Sequence, residues 1–244
     1  MNIIKQAMEN FSLSEQDAVH LAQNHSKILA NAVKSPALTS VSLNFIDNPV
    51  IPSNWSNILS GPLKPSEALK NKVQLYFSRM CFIVNTPEFI KLFNENLHLL
   101  RPAQNNPSNF NEFKDYLSQK LNQDYDAVVN ISTFRNVIGA NAYGLRHNGL
   151  NIYLDEDQVL SGTSYNNQGL LLHELMHTAG YEHIGNNDGF NDVPEYVQLL
   201  LMPGALNRKK FPTLTDLIKL MSRMQTLVPN SGDNKDIISH YFDS

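Results

Sequence analysis

Apolar positions recur with a helical period through much of the first third of the chain. Ser12-Leu13-Ser14-Glu15 has the form of a capping box, in which a hydroxyl and a carboxylate satisfy amides at a helix start. Ala18, Leu21, Ala22, Ile28, Leu29, Ala32 and Val33 then follow at helical spacing until Ser35-Pro36 stops the run. Leu38–Ile46 predicts a strand. Asp47–Pro65 holds four prolines among Asn and Ser and predicts an ordered loop or linker. Helical patterns return at Ser66–Ile83, Pro87–Leu100 and Ser108–Leu121.

The middle of the chain changes period. Ala127–Phe134 is β-branched and predicts a strand. Ala140–His147 and Leu150–Asp155 flank Asn148-Gly149, a strong hairpin signal. Within Leu150–Asp155, Leu150, Ile152 and Leu154 alternate with Asn151, Tyr153 and Asp155, which predicts one packed and one polar face. A helix starts near Asn166 or Asn167, and the last third is expected to be loops plus a helix at Leu214–Leu227.

This succession predicts an α+β fold in one domain spanning 1-244. Its expected parts are a helical N-terminal arm plus linker at 1-65, the sheet and a buried helix at 66-184, and a C-terminal subdomain at 185-244. A chain of 244 residues is long enough for a substantial core.

Composition narrows the function. At 42% hydrophobic and 17% charged residues, the chain is globular rather than disordered. A formal charge of −4 gives no electrostatic case for nucleic acid. One cysteine forms no internal disulfide and excludes a thiolate zinc ribbon. No stretch approaches the roughly 18 apolar residues of a membrane span. The N-terminus shows no basic head followed by an apolar segment. The cytoplasm, export without a signal peptide, and removal of a leader all stay open.

Residues 173–183 read H-E-L-M-H-T-A-G-Y-E-H and carry three of the eight histidines. On a helix His173 and His177 lie one turn apart on one face, close enough for both imidazoles to reach one metal ion. Glu174 follows the first of them, where a carboxylate can hold a metal-bound water and take its proton. Gly180 suits a left-handed helix end, after which the chain can turn and bring His183 back. Three nitrogens leave a fourth position for water, the arrangement of catalytic rather than structural zinc.

The string resembles the metzincin branch of zinc metallopeptidases, whose motif is H-E-x-x-H-x-x-G-x-x-H followed by a methionine turn. The resemblance covers the eleven motif residues and, loosely, the preceding hairpin. It implies a zincin-like fold: a small twisted mixed sheet with an edge strand and a buried active-site helix between largely helical N- and C-terminal parts. It implies zinc at His173, His177 and His183, with Glu174 as general base and later proton donor. A peptide or protein substrate would pair with the edge strand, for which Ala140–His147 is the candidate. Met202, followed by Pro203-Gly204, is the candidate for the methionine turn; ending a buried helix is its other reading. No tyrosine lies two residues after Met202 and Ile184 follows His183, so the subfamily stays open. Tyr181 and Tyr196 are candidate oxyanion donors or packing residues.

Other readings remain. Glu195, as in gluzincins, or Asp188 or Asp192 would supply an acidic third ligand in place of His183, although Asp188 and Asp192 also suit loop shaping or orientation of a ligand histidine. A bacterial family of ribosomal-RNA-processing endoribonucleases shares the histidine spacing and has residues similar to Gly180-Tyr181-Glu182-His183, but glycine where this chain has Glu174. A catalytically silent zinc protein that binds a partner is the third class. Cys81, His20 and His25 read as packing or surface residues.

Overall fold

A computed structural model of the chain describes residues 2–34, 36, 42–103, 105–123, 128–137, 142–146, 150–161, 164–184 and 192–201. Met202 and the expected helix at Leu214–Leu227 lie outside the described residues, as do Asp188 and the Asn148-Gly149 turn.

Three short helices open the chain: α1 (Ile3–Phe11), α2 (Glu15–Asn24) and α3 (Ser26–Lys34). The Ser12–Glu15 signal marks a junction rather than a single start. Ser12 closes α1 in the left-handed conformation at φ 54°, and Ser14 accepts the Asp17 amide at 3.1 Å to begin α2. The periodic run that follows breaks at His25, whose φ of −134° leaves the helix.

Strand β1 (Ser42–Phe45) precedes β2 (Leu59–Leu63), which lies inside the stretch expected to be loop. Gly61-Pro62 hid it, because proline breaks a ladder everywhere except at an edge or bulge, and Gly61 takes φ 62°. The sheet therefore draws strands from both sides of residue 66 and is not confined to 66-184.

Helices α4 (Glu67–Val84), α5 (Pro87–Glu95) and α6 (Phe110–Ser118) lie where the sequence pattern puts them, although α5 ends at Glu95, short of the expected Leu100, and α6 ends at Ser118, short of Leu121. Each starts where a polar side chain accepts an amide three residues on: Ser66 from Leu69, Thr86 from Phe89 and Asn109 from Glu112. Then come β3 (Val128–Val137), β4 (Ala142–Arg146), β5 (Leu150–Asp155), α7 (Glu156–Ser161), α8 (Ser164–Ala179) and α9 (Val193–Leu200).

The strands form one open mixed sheet in the order β1-β3-β5-β4, with β2 beside the far half of β3. β1, β3 and β5 run parallel; β2 and β4 run antiparallel to their neighbours. The expected pairing of the two segments flanking Asn148-Gly149 is present, with Gly144 opposite Ile152. Among the described strands, β4 is an edge.

One buried cluster joins Phe11 and Leu21 from the N-terminal helices, Met80 from α4, Phe93 from α5 and Ile131 and Ile152 from the sheet with Leu172 of α8 and Tyr196 of α9. A bidentate ion pair inside it ties α2 to α4, with Arg79 donating to both oxygens of Asp17 at 2.9 Å. The second face of β5 is not the polar surface that alternation suggested. Trp55 packs against Tyr153 at 5.4 Å between ring centres, and Leu59, Phe134 and Val137 complete a smaller cluster there. Among the described residues no helix is long and apolar enough to cross a membrane.

Candidate metal centre

The motif sits on a helix that cannot turn. Leu171, Leu172, Leu175, Met176 and Ala179 are almost wholly buried, so packing on several sides of α8 fixes which way its histidines face. The helix ends in a Schellman motif: the Tyr181 amide donates to the Met176 carbonyl and the Gly180 amide to the His177 carbonyl, both at 3.0 Å. Gly180 has φ 100°, a conformation that disfavours any Cβ. Tyr116 holds the helix end from outside, its hydroxyl donating to the Ala179 carbonyl at 2.9 Å. Arg101 donates to the Ile184 carbonyl at 3.1 Å, bracing the far end of the turn.

The turn returns His183 to the helical pair. His177 Nε2 lies 3.1 Å from His173 Nε2 and 3.2 Å from His183 Nε2. Two nitrogens each about 2.0–2.1 Å from one tetrahedral ion lie about 3.3 Å apart. Each opposite ring nitrogen is taken by an oxygen at 2.8 Å: His173 Nδ1 by Gln198 Oε1, His177 Nδ1 by the Tyr181 carbonyl and His183 Nδ1 by Asp192 Oδ2. With Nδ1 protonated on every ring, three Nε2 lone pairs face one another. That arrangement is repulsive alone and suits a shared cation, so the donor set fits a metal.

Electrostatics favour the neutral ring on the two helical histidines. Burial, then the neighbouring His177 and His183, pushes His173 down to about 3. Burial also lowers His177. His183 moves the other way, because its hydrogen bond to Asp192 favours the protonated ring. Burial opposes ionisation of Asp192, yet the hydrogen bonds from His183 and the Glu195 amide hold its carboxyl below the usual range.

Glu174 is 3% exposed, and burial pushes its carboxyl up to about 7 against the pull of a backbone hydrogen bond from Gly144 and the charge of His183. Among the described residues, its buried Oε2 meets no hydrogen-bond partner. Gly144 lets β4 lie flush on α8, since a Cβ there would collide with the Glu174 carbonyl and touch His177. A cleft of about 540 Å³ opens beside His183, lined among others by Asn105, Asn106, Glu182 and Ile184.

The structure thus brings His173, His177 and His183 together, with Glu174 on the helix that carries the first two. Asp192 braces His183 from behind. Glu195 groups with His183 and Asp192 and not with the helical pair. Tyr196 directs its hydroxyl to the Phe93 carbonyl, and Tyr181 is buried against Tyr116, so both pack. Cys81 is buried in α4, and His20 bonds Asn24 on α2. Gln198 and Gly144 were not foreseen; a polar residue within the apolar run Tyr196–Leu200 was the available signal for Gln198. Comparison of the chain with protein-family models, curated proteins and solved structures gave no match.

Proposed function

We propose that the chain is a zinc-dependent endopeptidase of the metzincin kind on a zincin-like fold. The observation that carries this reading is the convergence of three Nε2 atoms, each ring braced at Nδ1, on the helix that bears Glu174. His173, His177 and His183 would hold the ion. Zinc, when bound, supplies Lewis acidity and a water acidified to a pKa of about 7.

The rest is the work of the chain. Glu174 Oε2, with no hydrogen-bond partner among the described residues, accepts the proton of the attacking water and passes it to the leaving amine nitrogen. Strand β4 offers backbone groups at the sheet edge to an extended peptide beside α8.

Metal analysis of the purified chain, with identification of fragments from a peptide library and a structured RNA in parallel, tests the reading. The expected result is about one zinc per chain, peptide cleavage and intact RNA. Glu174→Gln should keep the zinc and lose about 10²–10⁴-fold in cleavage rate. Cleavage of RNA alone, or zinc without hydrolysis, would replace this reading with the nuclease or the silent binder.

A further inference from the structure

Two of the three braces behind the histidines come from one helix. Asp192 is the N-cap of α9, accepting the Glu195 amide at 3.0 Å through one oxygen and meeting His183 through the other. Gln198, six residues further along the same helix, meets His173. The helix is itself anchored, because Tyr196 is fully buried and stacks edge-on against Phe93 at 5.4 Å.

Gln198 sits where α9 crosses α8. The crossing is tight at Gly169, where a Cβ would lie 3.0 Å from the Gln198 Cγ. The polarity of the contact matters. If the Gln198 amide nitrogen faced Nδ1, the His173 proton would move to Nε2 and point at His177 Nε2, 3.1 Å away. With Oε1 accepting, the proton stays on Nδ1 and the Nε2 lone pair is free.

We propose that Gln198 is a positioning residue of the metal centre, fixing the tautomer and direction of His173, and that Gly169 is the gap that lets it do so. This rests on the reading of the three histidines as a metal site.

Competition with a chromogenic chelator measures zinc affinity for the full chain and for Gln198→Leu, Gln198→Glu and Gly169→Ala, and cobalt substitution reports the ligand field of each. Gln198→Leu should weaken zinc about 10–100-fold and shift the cobalt absorption bands. Gln198→Glu keeps an acceptor and should stay within a few-fold of wild type. Gly169→Ala, which gains the better helix former, should still lose affinity because Gln198 must give way. Wild-type affinity and cobalt spectrum in Gln198→Leu would overturn the proposal, as would equal losses in Gln198→Leu and Gln198→Glu. No zinc or cobalt bound by the wild type would instead remove the metal site on which it stands.

Discussion

A single carboxyl shows how much burial sets the chemistry here. Glu174 rises from 4.5 to about 7 on folding of the metal-free chain, so the folded state holds a proton that the unfolded state releases. Its contribution to stability is complete below pH 4.5 and is lost as pH climbs through 7. Glutamine imitates the protonated acid at every pH. Metal-free Glu174→Gln should match wild type near pH 4 and exceed it at pH 8, by up to about 3 kcal/mol in urea denaturation. Equal stabilities at pH 8 would show that the carboxyl is not desolvated as described. The histidines and Glu174 were legible in the sequence because their relation is local, within eleven residues. The Gly144 and Gln198 contacts join positions about thirty and twenty-five residues distant from their partners, and no local pattern encodes such a meeting.

Among elements, α4, α5 and α6 were legible through a cap joined to a periodic apolar face, whereas α1, capped by Asn2, and β2 were not. Ser66, Thr86 and Asn109 announce α4, α5 and α6, while β2 carries Gly61-Pro62 and exists because β3 is long enough to pair beyond β1. The short α1 lacks a long apolar repeat and is fixed by burial of Ala7 and Phe11. The turn after α8 is the element on which the centre depends. Gly180→Ala places a Cβ at φ 100° and should cost about 1–2 kcal/mol, read as a drop of roughly 2–8 °C in melting temperature. Because His183 lies beyond that turn, zinc affinity should fall with it. A variant with unchanged melting and unchanged zinc would mean that the bend does not place the third imidazole.

Over the whole molecule, the N-terminal helices share a core with the motif helix, and the Asp17–Arg79 pair fastens α2 to α4 within it. Removing one partner leaves a buried charge, so Arg79→Ala should destabilise by about 3–5 kcal/mol. Joint replacement of both by apolar residues of similar volume should recover most of that loss, as chemical denaturation would show. The pair was invisible in the sequence, since its members are 62 residues apart and either alone resembles a surface charge. The chain has one tryptophan, and it lies on Tyr153, across the sheet from the histidine helix. Its fluorescence is therefore a built-in gauge of sheet integrity with no seat at the ion. Emission should track unfolding in denaturant yet stay flat while zinc is titrated in, separating loss of metal from loss of fold in one cuvette.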